Sequence, residues 1–414
     1  MNPRRLFVAS CLALITTSMV FSIRGDILDS LGADFHLSKE QLGFILAPAF
    51  WGFTLSILIG GSLVDFFGMR RLLLVSAAGY LIGPMAIIFA PRHEGSFNIL
   101  YGAMLVLGLS QGLVEGVINP LCATMFPKEK TRRMNLLHAW WPGGLIIGGL
   151  ASYFITKAMG LDAGVVAPET RTIGWQIKLA LISLPAVVYA LMVWKEKFPA
   201  SERSAAGISN GEMIGQLFKP MFILLWICMW MTASTELGPD QWIGSVITNL
   251  AGMQGILILV YTAGLMFLLR FFGGGLIQGI SPMLVLTGSA VLSGLGLYWL
   301  SSVTTPVQAF VAATVFGVGK TYFWPLMLGV TSERFPKGGP LALAVMGGTG
   351  NLAVAFILPM MGSWYDKFGA AAAFRYVAIM PIALTVIFAG LYFYYRSQGG
   401  YRAVQIGAAA SHGD

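Results

Sequence analysis

Two charged residues stand where charge is expensive. Glu115 lies in Gly112-Leu-Val-Glu115-Gly-Val-Ile-Asn119-Pro120, inside an apolar run from Phe97 to Phe126. Lys320 lies in Gly317-Val-Gly-Lys320-Thr-Tyr322-Phe-Trp324-Pro325, about 200 residues later. Each follows a glycine by three residues and precedes a proline by five. Each run then exits through Phe-Pro-Lys, at Phe126 to Lys128 and at Phe335 to Lys337. A carboxylate in an apolar span is costly unless it is paired or protonated, so the chemistry open to Glu115 is proton binding. A buried ammonium can pair with such an acid or hold an anionic solute. The matched positions predict that Glu115 and Lys320 face one cavity and pair in at least one state. Asp26 comes late in the first apolar run, two residues after Arg24. It is either an interfacial acid or a protonatable cavity group. Glu236 sits in Thr235-Glu236-Leu-Gly-Pro239-Asp240-Gln241-Trp242 at the close of the seventh run. It is either a second cavity acid or an outer-rim charge.

Around these charges the apolar runs carry amides, an imidazole and aromatic rings: Gln111, Asn119, Asn135, His138 and Asn351, with Trp141, Tyr322 and Trp324. Amides and carboxylates hold hydroxyls in pairs, and aromatic faces stack on the C–H side of a sugar, so this mixture suits a small polar solute. Any one tryptophan is equally compatible with packing, and His138 with a satisfied buried histidine. The sequence has no Walker loop, no His-Glu-x-x-His and no Gly-x-Ser-x-Gly, which speaks against ATP drive, metalloprotease and lipase chemistry. No enzyme activity, metal or cofactor is expected. Cys11, Cys122 and Cys228 fall inside apolar runs without metal or disulfide spacing.

The elements that must position these groups are membrane helices. The chain is 56% hydrophobic and 11% charged over 414 residues, with mean hydropathy +0.75. A soluble domain of this length needs more polar surface than that. Twelve runs are long enough to cross a bilayer, at 6–30, 41–65, 72–91, 97–126, 135–158, 175–195, 219–240, 250–272, 281–302, 306–332, 341–363 and 374–396. The apolar start behind Arg4 and Arg5 resembles a signal peptide, and the repeated spans downstream make a retained first helix the expectation. The expected organisation is a six-helix bundle over 1–195, a cytoplasmic linker over 196–218, a second bundle over 219–396 and a cytoplasmic tail over 397–414. With the N-terminus inside, seventeen of the 26 Lys and Arg residues lie in inner segments and seven in outer ones. Arg24 and Lys320 remain within spans. The net charge of +8 then reflects basic inner loops, with no nucleic-acid partner implied. The expectation is a multi-pass protein of the cell (inner) membrane, monomeric, with both termini cytoplasmic.

The loop after the second run reads Gly61-Ser-Leu-Val-Asp65-Phe-Phe-Gly68-Met-Arg70-Arg71. It resembles the signature loop of the major facilitator superfamily, with Phe66 where a basic residue is usual. The resemblance implies a gating role for Gly61, Asp65, Gly68, Arg70 and Arg71. The equivalent loop of the second half, Gly275-Leu-Ile-Gln-Gly279, has no aspartate, which implies an asymmetric gate. Three further segments resemble the fucose–proton symporter family: Gly25-Asp26-Ile27-Leu28, Glu115 to Pro120, and Arg133-Met-Asn135-Leu-Leu-His138 followed by Gly143-Gly144. In that family the first aspartate is required for coupled transport and the glutamate takes the proton. His138 replaces a glutamine, Ile23 replaces a polar residue, and Lys320 has no counterpart.

The expected fold is therefore all-α, with twelve transmembrane helices in two pseudo-symmetric six-helix bundles, the major facilitator fold. The expected function is proton-coupled uptake of a small polar solute, a monosaccharide first, by alternating access. Glu115, Asp26 and Lys320 are the expected coupling groups. Gln111, Asn119, Asn135, His138, Trp141, Glu236, Tyr322, Trp324 and Asn351 are the expected solute contacts. The alternatives are an exporter or antiporter of organic anions or drugs, with Lys320 as the anion ligand, and a non-transporting solute sensor.

Overall fold

The structure is a computed structural model that describes residues 2–126, 130–163, 165–199, 210–272 and 279–404. The side chains at 60–65, 94, 123, 130–132, 135, 210 and 340 lie outside the description. Eighteen described α-helices follow one another. They are α1 (Pro3–Asp26), α2 (Leu28–Phe35), α3 (Lys39–Phe67), α4 (Met69–Ile88), α5 (Phe97–Met125), α6 (Lys130–His138), α7 (Trp140–Ala158), α8 (Pro168–Ala180) and α9 (Ser183–Val193). After them come α10 (Asn210–Leu217), α11 (Pro220–Ala251), α12 (Ile256–Phe272), α13 (Pro282–Leu300), α14 (Pro306–Lys320), α15 (Phe323–Arg334), α16 (Gly339–Phe368), α17 (Ala370–Val377) and α18 (Ile379–Ser397).

These helices make twelve crossings. Nine spans among the described residues are long and apolar enough to cross a membrane by length and composition. The short apolar α12 is another crossing, and the fifth and tenth are broken into α6 with α7 and α14 with α15. Backbone groups in lipid have no water to bond, so an all-helical bundle satisfies them within each span. Leu184, Leu191, Leu295 and Phe393 are exposed on its outside, as lipid-facing side chains must be. The α10 helix falls inside the expected linker.

Helix ends follow local chemistry. Thr305 accepts from the Gln308 N–H and Pro306 takes the first helical position, which starts α14. The tenth crossing breaks just after Lys320, at Thr321 and Tyr322, and restarts with Pro325 in the first turn of α15, where its missing N–H costs nothing. The seventh crossing departs from the sequence expectation. It does not end near 240 but runs unbroken to Ala251, where Gly252 stops it at φ +63°. Its polar stretch reads as a helix end in hydropathy, yet Glu236, Asp240 and Gln241 are all buried against neighbouring helices.

Pro3 and the α18 end share one end of the bundle, called here the terminal end. Arg5 Nε donates to the Met192 carbonyl there at 2.9 Å, and Arg334 Nη1 to the Arg402 carbonyl at 2.9 Å. The opposite, loop end is where the two six-helix halves meet. A Cβ on Gly43 of α3 would lie 2.4 Å from the Leu358 carbonyl oxygen of α16. One on Gly362 would lie 2.2 Å from the Lys39 carbonyl oxygen. Only glycine lets these two helices approach so closely. Gly149 of α7 gives the same access to Val260 of α12.

Candidate functional site

Polar groups gather at mid-depth on both sides of the seam between halves. On the first half, Glu115 is buried on α5. Asn119, one turn on, donates from Nδ2 to Glu115 Oε2 at 3.1 Å. The Asn119 Oδ1 oxygen then accepts from His138 Nε2 at 2.9 Å. His138 ends α6 and is exposed, so this chain runs from a buried acid to an accessible imidazole. Gln111, one turn before Glu115, donates to the Thr17 carbonyl at 3.1 Å. The Thr17 hydroxyl meets the Tyr80 hydroxyl at 2.8 Å.

Arg24 was visible in the sequence as a cation within a span, but it was given no role. It is 1% exposed. Its Nε donates to Gln241 Oε1 of the other half at 2.5 Å, and Gln241 Nε2 donates back to the Phe21 carbonyl at 2.9 Å. The guanidinium carbon lies 4.5 Å from the centre of the Phe50 ring and 5.1 Å from that of Phe21. Trp141 packs edge-on against Phe21, with centroids 6.0 Å apart.

On the second half the charges are matched. Lys320 Nζ donates to Asp240 Oδ1 at 2.5 Å, with both side chains almost fully buried. Arg270 Nη2 reaches Glu236 Oε1 at 3.3 Å, and Arg270 Nε holds the Thr321 carbonyl at 2.9 Å. Glu236 Oε2 has no hydrogen-bond partner. Tyr322 donates to the Leu269 carbonyl at 3.1 Å, tying the break after Lys320 to α12. Asn351 donates to the Gly347 carbonyl at 3.2 Å within its own helix. Trp324 packs beside Gly350, where a Cβ would lie 2.8 Å from its ring.

In this state Lys320 does not pair with Glu115. It turns to α11 of its own half, because equivalent repeat positions need share only a level, not a contact. Asp26 bonds neither to Arg24 nor to a cavity group. It takes Lys178 of α8 at 2.6 Å, with both side chains largely buried. Asp240, Gln241, Lys178, Arg270 and Tyr80 complete the network without having been selected from sequence. The only prior signal was their polarity within or beside apolar runs. Gly68 starts α4 at φ +80°, open to glycine. Arg70 reaches the Trp194 carbonyl at 3.5 Å, and Arg71 is exposed. Gly61, Asp65 and Asn135 lie outside the described side chains, as does most of the loop before Gly279. Among the described residues no cluster of His, Cys, Asp or Glu could hold a metal ion.

Every described side-chain hydrogen bond between the halves lies at mid-depth or towards the loop end. Asp29 Oδ1 accepts from Lys39 and, at 2.6 Å, from Ser245 of the other half. Asp366 accepts from the backbone N–H groups of Lys39 and Glu40, at 3.1 and 2.8 Å. Gln254 reaches Asp162 at 3.1 Å, and Thr54 reaches the Gly348 carbonyl at 2.7 Å. The halves are thus latched at the loop end, while Asn119, Trp141 and Trp324 remain half-buried and His138 is exposed.

Comparison with known proteins follows the same lines. The sequence model of the Major Facilitator Superfamily matches residues 6–338. A putative niacin/nicotinamide transporter of Bacillus subtilis is 23% identical over 385 residues, covering 80% of this chain and 90% of that protein. A gentisate transporter of Corynebacterium glutamicum is 23% identical over 388 residues, covering 86% and 82%. The inward open conformation of the xylose transporter from E. coli superposes with TM-score 0.76 at 15% identity, covering 94% of this chain and 96% of that one. The last likeness concerns the fold.

Proposed function

We propose that this chain, which belongs to the major facilitator superfamily, takes up a small polar solute together with protons by alternating access. It is a multi-pass membrane transporter and not an enzyme. The observation that carries the proton reading is the isolation of Glu115. Among the described residues no cation pairs with it, and its hydrogen-bond partner is the neutral Asn119. The other mid-depth acids, Glu236 and Asp240, each have a cation. A buried carboxylate without a cation gains most from binding a proton. Asp26 and Lys320 are already in ion pairs, so they suit conformational poise better than proton carriage. Asp65 and its loop serve the gate in this reading.

Two solute classes have support. The fucose–proton symporter resemblance and the half-buried Asn119, His138, Trp141 and Trp324 favour a monosaccharide. The relatives named for niacin and gentisate favour an organic anion, and the pairing of Lys320 with Asp240 moves the anion ligand away from Lys320. We place the protein in the inner membrane with both termini cytoplasmic, an orientation supported by its basic inner segments, and take it to act as a monomer.

Liposomes carrying the purified protein and a lumenal pH dye test this reading. Adding sugars or organic acids outside should acidify the lumen with one of them. Alkalinisation means antiport, and no movement with any solute means a sensor. Glu115→Gln should keep solute exchange and lose accumulation against a gradient. A Gln variant that still concentrates solute removes Glu115 as the proton site.

A further inference from the structure

We infer that Arg24 holds the carboxylate of the transported solute, which makes that solute a small organic monocarboxylate. This rests on the transport reading above and narrows it. Three cations are buried among the described residues: Arg24, Lys178 and Lys320. Lys178 has Asp26 and Lys320 has Asp240. Arg24 has no carboxylate partner. Its side-chain partner across the seam is the neutral amide of Gln241. A guanidinium does not deprotonate in a protein, so it cannot escape this site by losing its charge. A buried charge left without a counter-ion is unfavourable, and a visiting anion would relieve it.

The geometry limits what can visit. Phe50 and Phe21 lie against the guanidinium at cation–π distance, so an incoming ligand approaches best along its plane. Along that plane, Nη1 is buried and has no hydrogen-bond partner. A carboxylate presents two oxygens in one plane and fits such an edge in bidentate fashion. A sugar hydroxyl could fill the hydrogen bond and leave the charge uncompensated. Gln241 of the other half holds Nε, so an anion on the free Nη1 edge sits beside the bond that crosses the seam between α1 and α11.

Thermal unfolding of the purified full chain tests this with acetate, lactate and benzoate against the corresponding amides. At least one carboxylate should raise the Tm while its amide does not, because ligand binding stabilises by mass action. Arg24→Gln should weaken that carboxylate roughly ten- to a hundred-fold, the worth of charge-assisted hydrogen bonds. Without ligand this variant should melt no lower than the native chain, since it removes an uncompensated charge, whereas a purely structural arginine would leave it less stable. Should the Gln variant fail to fold, Arg24→Lys keeps the charge, loses the planar fork and should bind several-fold more weakly. The inference is overturned if amides or sugars stabilise as well as carboxylates, or if no carboxylate stabilises. Undiminished carboxylate binding in the substituted chains overturns it too. Proton movement in liposomes bears on the transport reading alone, and the carboxylate-induced Tm shift on Arg24 alone, so the two readings fail separately.

Discussion

The second half balances its buried charges in pairs, whereas the first half, beside its Asp26–Lys178 pair, keeps Arg24 and Glu115 without an opposite charge. In the second half, Lys320 meets Asp240 and Arg270 meets Glu236, so cations and acids balance within a few ångströms. In the first half, Arg24 and Glu115 each bond to an amide instead of an opposite charge. Balanced pairs hold helices together, here the broken tenth crossing against α11. Unbalanced charges leave part of their interaction free for something that arrives and departs, such as a proton or an anion. The comparison assigns scaffold duty to one half and cargo duty to the other. Each prediction below tests that division.

The largest effect should come from breaking a balanced pair. Lys320→Met leaves Asp240 buried and uncompensated, and a buried pair that loses one member costs about 3–5 kcal/mol. Asp240→Asn strands Lys320 in the same way. The double variant should recover most of the loss, giving a large coupling energy in a double-mutant cycle on thermal stability. Glu115→Gln, by contrast, should leave stability nearly unchanged. Strict additivity for Lys320 and Asp240, or an equal loss from Glu115→Gln, would erase the contrast between the halves.

A balanced acid in the first half sharpens the comparison, because it lies outside the cargo region. Asp34, at the loop end, accepts from Arg171 Nη2 at 2.8 Å and from Trp175 Nε1 at 2.8 Å, and also from Thr172. Burial alone would raise its pKa, but the bonds from Thr172, Trp175 and Arg171 outweigh that and hold it below the ordinary carboxylate value. The folded pKa is therefore the lower one. The stability it provides is present above the unfolded value, near 4, and is lost as pH falls through the folded value. Asp34→Asn should cost about 2 kcal/mol near neutrality, and the deficit should shrink in melts below about pH 4. The pH profile of transport should stay put, since Asp34 carries no cargo. A shifted transport profile with an unchanged melt would reverse the assignment.

The legibility of the sequence follows the same division. Crossings were readable because a span needs about twenty apolar residues whatever its neighbours do. The seventh was cut short at 240 because hydropathy counts Glu236, Asp240 and Gln241 as solvent-facing, and only their partners make them interior. The repeat put Glu115 and Lys320 at matching levels, yet it could not say which helix each would face. Lys320 and Asp240 are 80 positions apart, with no local spacing to link them. Arg24 was legible as a charge within a span. Its distinguishing property, the absence of a carboxylate beside it, exists only once the halves are assembled.

The smallest effect concerns how the halves are held, and it follows from the end of α3. Ser38 and Gln41 form a capping box there: the Gln41 N–H donates to the Ser38 hydroxyl at 3.1 Å, and the Ser38 N–H to Gln41 Oε1 at 2.8 Å. That leaves the Lys39 and Glu40 N–H groups without partners in their own half. Asp366 of the second half takes both with its two oxygens. A carboxylate at a helix N-terminus also gains from the helix dipole. Because donor and acceptor lie on opposite halves, this cap exists only while the loop end is closed. Asp366→Ala should therefore remove about 1 kcal/mol from the closed state alone, the usual worth of an N-cap. That shifts the balance between states by about fivefold. Cys11, Cys122 and Cys228 are buried and can be replaced first. A Leu358→Cys reporter, buried where α16 meets Gly43, should then react with a soluble maleimide about fivefold faster in the Asp366→Ala background. Equal labelling rates would show that the loop end is held by the glycine contacts between α3 and α16, with the cap adding nothing to the balance between states.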